Sequence, residues 1–90
     1  MRILLIEDDA VLGAAVRDQI AGDGHSVDWL TRLDAANDAI VGTAFDLVLL
    51  DLMLPDGRGI PFLQRLRARG DVTPVIILTA LDQVSDRIEG

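Results

Sequence analysis

Residues 46–59 read DLVLLDLMLPDGRG, and this stretch decides the fold. Residues 46–50 form an apolar run behind one acid, as expected of a strand buried on both faces. Asp51 closes that run. Residues 51–59 carry too much Pro and Gly for regular structure and predict a loop. In a parallel α/β sheet, ligand chemistry gathers beyond the carboxyl ends of the strands, which is where this spacing puts Asp51.

Working outward, the same pattern repeats. Residues 3–6 (ILLI) are a second buried-strand run, followed at once by Glu7-Asp8-Asp9. Asp8 and Asp9 supply N-cap chemistry for a helix starting near Ala10, with Leu12, Ala15, Val16 and Ile20 at helical spacing. Gly22 or Gly24 ends it. Residues 27–30 read as a short strand, and residues 34–41 as a helix closed by Gly42. Beyond the central loop a helix runs to about residue 69, with Phe62, Leu63 and Leu66 on its apolar side. Gly70 and Pro74 then precede a fourth strand at residues 75–78 (VIIL), which leads into Thr79-Ala80. Residues 82–89 open a further helix. Strands alternating with helices predict an α/β chain with a doubly wound parallel sheet of four strands.

Composition narrows the class. Ninety residues and 9.7 kDa hold one small domain. An apolar half and a mean hydropathy of +0.35 exclude a disordered segment. The apolar runs fall far short of the roughly 20 residues that span a bilayer. No signal-peptide pattern opens the chain. With no cysteine, disulfides and thiolate metal sites are excluded. These features predict a soluble, cytoplasmic domain with no membrane partner. The net charge is −7 and every basic residue is Arg, so the segment is a poor phosphate binder and no nucleic-acid module by itself. Arg58, Arg65, Arg67 and Arg69 form an acid-free basic stretch, read as a solvated helix face rather than a partner site.

Glu7, Asp8, Asp51 and Thr79 converge on one end of the predicted sheet. Two carboxylates about 5 Å apart repel by roughly 3 kcal/mol at an effective dielectric near 20. A hard divalent cation relieves that cost, and oxygen-only ligands favour Mg²⁺. A carboxylate beside Mg²⁺ can attack phosphorus and form an acyl phosphate. Plainer readings exist for each residue alone. The acids can cap a helix and complement its dipole, Asp51 can start a turn, and Thr79 can simply end a strand. His25 reads as a solvent-facing turn residue, Trp29 as partial packing, and Phe45 and Phe62 as core. Gly57 and Gly59 serve the loop backbone and form no phosphate cradle.

The motifs ILLIEDD, DLVLLDLMLPDGRG and VIILTA, in this order and spacing, resemble the receiver domain of two-component response regulators. LLDLMLP is most similar to the OmpR/PhoB group of transcription regulators. The resemblance covers the whole chain and implies a flavodoxin/CheY-like fold with sheet order 2-1-3-4-5. It implies Asp51 as phospho-acceptor, with Mg²⁺ held by Asp8, Asp51, the Met53 carbonyl and, through water, Glu7. It makes Thr79, with Ala80 beside it, the switch and phosphate-binding position, and has Pro55 and Gly59 shape the loop. A sensor histidine kinase is the implied phosphoryl source.

The chain departs from that family in having no lysine and in stopping before a fifth strand. It therefore reads as a receiver domain over residues 1–90, C-terminally truncated, without the DNA-binding output domain through which the protein would meet DNA. The fourth strand then becomes an edge bearing Val75, Ile76 and Ile77, with an apolar patch beside the first helix. That exposure predicts a homodimer or swapped oligomer. Two other functions compete. A degenerate receiver fragment would act only as an interaction piece. A phosphohydrolase of the haloacid-dehalogenase type would need an acid two residues past its nucleophile, where Met53 stands, and a downstream lysine.

Overall fold

The computed structural model describes residues 1–78. Its first element is β1 (Arg2–Ile6), in which Ile3 to Ile6 are all buried. There follow α1 (Ala10–Gly22), β2 (Ser26–Leu30), α2 (Leu33–Gly42) and β3 (Leu47–Asp51). The chain continues through β4 (Met53–Leu54), β5 (Gly57–Arg58), α3 (Gly59–Ala68) and β6 (Val75–Leu78). The helix expected over residues 82–89 lies outside the described residues.

The four long strands form one parallel sheet in the order β2-β1-β3-β6, as the resemblance implied. The two apolar strands that end in acids are therefore its interior pair. Ile6 is in register with Leu30 on one side and Leu50 on the other, so β1 and β3 end side by side.

The sheet is wound on both faces, unequally. Leu4, Ile6, Val48 and Leu50 face α2 and α3, where Leu33, Ala36, Ile40, Phe62 and Leu66 close over them with Phe45. On the other face Ile3, Leu5 and Leu49 meet Val16 and Ile20 of α1. Each fully buried Leu or Ile of this kind stabilises by roughly 1.5–3 kcal/mol over exposure. The strand ends thus rest on the best-packed part of the molecule.

α1 begins where the sequence places it. Asp9 is its N-cap, with Oδ1 accepting from the backbone N–H groups of Val11 and Leu12, both at 2.9 Å. At its other end Gly24 takes φ +91°, and the N–H groups of Gly24 and His25 return to the carbonyls of Ala21 and Ile20. The buried stripe of α1 differs from expectation. Val16 and Ile20 pack as predicted, but Leu12 and Ala15 are exposed and Gly13 is the buried position. The reason is Trp29, whose ring occupies the space a side chain at Gly13 would need.

The stretch after Asp51 is more ordered than its Pro and Gly suggest. β4 and β5 form a small antiparallel hairpin, with Met53 opposite Arg58 and Leu54 opposite Gly57. Pro55 and Asp56 make the turn, and Gly57 takes φ +152°, a conformation open mainly to glycine. Gly59 is not a loop residue but the first of α3. Pro61 sits in that first turn, where its missing N–H removes no helical hydrogen bond.

Among the described residues β6 pairs only with β3 and forms an edge of the sheet. Its Ile76 is 51% exposed.

Candidate functional site

The acids following β1 and the acid ending β3 meet at the carboxyl end of the sheet. Glu7, Asp8 and Asp51 each bring a carboxylate oxygen within 4.8 Å of the others. Glu7 and Asp51 are buried, at 3% and 8% exposure, while Asp8 opens to solvent. The group therefore has a closed floor and one open side.

Backbone contacts fix these side chains. The Glu7 N–H donates to the Leu30 carbonyl at 3.0 Å, extending the β1–β2 ladder by one residue. The indole Nε1–H of Trp29 donates to the Glu7 carbonyl at 2.8 Å. Glu7 Oε2 accepts from the Asp9 N–H at 3.1 Å. Across the site Asp51 Oδ1 accepts from the Met53 N–H at 3.2 Å. Gly59 lets α3 begin directly against the Asp51 backbone, because a Cβ there would lie 2.5 Å from the Asp51 carbonyl oxygen.

The electrostatics follow from burial. Desolvation pushes the Glu7 carboxyl up, and the Asp9 N–H opposes the rise in part. Hydrogen bonding and charge from Asp51, with a hydrogen bond to Asp8, raise it further, to about 7. Among the described residues the ion pairs lie elsewhere, at Arg2–Asp28, Arg17–Asp18, Arg32–Asp34 and Arg32–Asp56. Three convergent carboxylates, two of them buried and none paired to an arginine among the described residues, are a donor set that suits a hard, oxygen-seeking divalent cation.

The structure thus brings together Glu7, Asp8 and Asp51, and puts Met53 against Asp51 through its N–H. The Met53 side chain is turned out, 49% exposed. Pro55 lies in the exposed hairpin turn. Thr79 and Ala80 lie outside the described residues, although β6 leads toward the site with Leu78 in register with Asp51. His25 meets the N-terminal amine through Nδ1 at 3.2 Å, away from the cluster. Of the arginine group, Arg67 donates to the carbonyls of Asp71 and Thr73 and ties α3 to the next loop.

Two supporting residues were hidden in the sequence. Trp29 is one, since nothing local links it to a carbonyl 22 residues away. Asp56 is the other. Its Oδ1 and Oδ2 accept from the N–H groups of Leu33 and Asp34, at 2.8 and 3.0 Å, capping α2 from the hairpin turn. Those two hydrogen bonds, with a smaller contribution from Arg32, hold its carboxyl below the usual range. The available clue was Arg32, which stands at the α2 N-cap and makes no side-chain cap of its own.

The family model of the response regulator receiver domain matches residues 3–90. Response regulator protein PmrA of Pseudomonas aeruginosa, of the OmpR/PhoB type, is 47% identical over 90 residues. That alignment takes in 100% of this chain and 41% of PmrA, so the chain spans about two fifths of that relative's length. The non-phosphorylated HemR receiver domain from Leptospira biflexa superposes with TM-score 0.82 at 36% identity, over 99% of this chain and 72% of that one. The BeF3-activated N-terminal receiver domain of Klebsiella pneumoniae RstA gives TM-score 0.80 at 32% identity, over 99% and 75%.

Proposed function

The chain belongs to the response regulator receiver domain family, and from that premise we propose that it accepts a phosphoryl group from a sensor histidine kinase onto Asp51. The single observation that carries this reading is the convergence of Glu7, Asp8 and Asp51 within 4.8 Å, with Asp51 at the end of an interior strand. In the step itself an Asp51 carboxylate oxygen attacks phosphorus. The new O–P bond forms as the N–P bond of a ring-protonated phosphohistidine donor breaks, the electron pair staying on nitrogen, which leaves an acyl phosphate on Asp51 and a neutral imidazole on the donor. Later attack by water on phosphorus releases inorganic phosphate and restores the carboxylate. This is self-modification and not turnover of a separate substrate.

Asp8 and Asp51, with the Met53 carbonyl and Glu7 beside them, would hold Mg²⁺. The cation supplies positive charge that offsets the carboxylates and the transferring phosphoryl oxygens. The remaining work belongs to the chain. Packing beneath Leu50 and the Met53 N–H orient the Asp51 carboxylate, and the open Asp8 side admits the donor. Thr79 would hydrogen-bond the phosphoryl group, with Ala80 next to it, and pass its presence to an output domain that controls transcription. Self-association through the β6 edge belongs to the same reading, supported by the exposed Ile76. A strictly monomeric chain in light scattering at high micromolar concentration contradicts that part.

Titration with beryllofluoride and Mg²⁺, followed by ¹⁹F NMR, tests the assignment of the acceptor. The parent gives a bound fluoride signal and Asp51→Asn gives none. Equal binding by the two places the acceptor elsewhere.

A further inference from the structure

Trp29 is the sole tryptophan of the chain and lies on β2, not among the acids. Its indole nevertheless touches the site's backbone. Nε1–H donates to the Glu7 carbonyl at 2.8 Å, while the next residue, Leu30, receives the Glu7 N–H at 3.0 Å. Both backbone polar groups of Glu7 are therefore held by the last two residues of β2. The same ring seats α1, because Gly13 is buried against it and a methyl group there would collide with the indole. The Arg17 guanidinium lies over the ring, 5.2 Å from its centroid. The indole thus sets how close α1 comes to the sheet, and Asp9 fixes the start of α1 as its N-cap. Asp8 is suspended between two residues, Glu7 and Asp9, whose places depend on Trp29.

We propose that Trp29 is a positioning residue for divalent-cation binding: its hydrogen bond to the Glu7 carbonyl, with the ring seated on Gly13, sets the spacing of the Glu7 and Asp8 carboxylates relative to Asp51. Packing alone does not require the N–H, since a ring without one would fill the same space. The half-buried indole N–H takes an acceptor, and here the acceptor belongs to the acidic cluster. This inference rests on reading that cluster as a cation site.

The test compares the parent with Trp29→Phe and with a chain carrying 3-benzothienylalanine at position 29, which keeps the indole's shape and replaces its N–H by sulfur. Mg²⁺ binding to the full chain is measured by calorimetry, at a temperature where circular dichroism shows each protein folded. Both replacements are expected to bind Mg²⁺ roughly three- to tenfold more weakly, the loss that goes with one hydrogen bond. The parent's indole emission is expected to shift saturably with Mg²⁺. If the sulfur analogue binds like the parent, the hydrogen bond positions nothing and the proposal is overturned, while the cation-site reading stands. If the parent itself binds no Mg²⁺, the cation-site reading fails and takes this proposal with it.

Discussion

Glu7→Gln, studied in EDTA, isolates the electrostatic cost built into the acidic cluster. In the folded chain burial and the neighbouring carboxylates raise Glu7 from an ordinary 4.5 to about 7. At about 1.36 kcal/mol per pKa unit, that rise corresponds to roughly 3 kcal/mol of folding stability. Its sign is unfavourable at high pH. Between the two values the folded state holds a proton that the unfolded state has released, so stability falls as pH rises. The loss is complete only above the folded value. Most of it develops between pH 5 and pH 8. The glutamine amide does not titrate in this range and keeps the side chain's size. Urea denaturation at the two pH values therefore predicts a variant close to the parent at pH 5 and more stable at pH 8 by about 2–3 kcal/mol. A stability difference between variant and parent that is the same at both pH values would refute the claim that Glu7 is buried against like charge.

Other expectations follow from individual contacts. Mg²⁺ raises the parent's Tm, and Asp8→Asn or Asp51→Asn raises the metal-free Tm while shrinking the response to Mg²⁺, read by calorimetric scans. Gly59→Ala, which at an ordinary helix position would stabilise, instead costs about 2 kcal/mol in urea because the new methyl meets the Asp51 carbonyl. Asp56→Ala removes both acceptors from the α2 N-terminus, so faster amide exchange is expected at Leu33 and Asp34. The parent's share of stability from Asp56 is present above its ordinary carboxylate value and disappears as pH falls through its lowered folded value. A variant whose exchange at those amides matches the parent would dismiss the remote cap.

Much of this arrangement was legible because its signals are local. Apolar runs ending in Glu7 and Asp51 announce interior parallel strands, the run ending in Leu78 announces one more strand, and Asp9 beside Ala10 announces a helix start. The convergence of Glu7, Asp8 and Asp51 was legible for the same reason, since topology alone brings adjacent strand ends together. What escaped were contacts between segments distant in sequence. The Pro and Gly of residues 51–59 pointed to an irregular loop, yet Gly57 permits the reversal that pairs β4 with β5. Helical spacing nominated Leu12 and Ala15 for the core of α1. Periodicity cannot foresee that Trp29 fills the space over Gly13 and leaves those two residues outside. Asp56 lay unremarked in the stretch read as a loop, yet its carboxylate completes a helix 22 residues earlier in the chain.

The central claim is that Asp51 accepts phosphorus, and the most direct measurement is intact mass after incubation with Mg²⁺ and acetyl phosphate. The parent is expected to gain one phosphoryl group, lost on base treatment as an acyl phosphate would be, and Asp51→Asn to gain none. A folded parent that stays unmodified, or an Asp51→Asn chain that gains the same mass, contradicts the account.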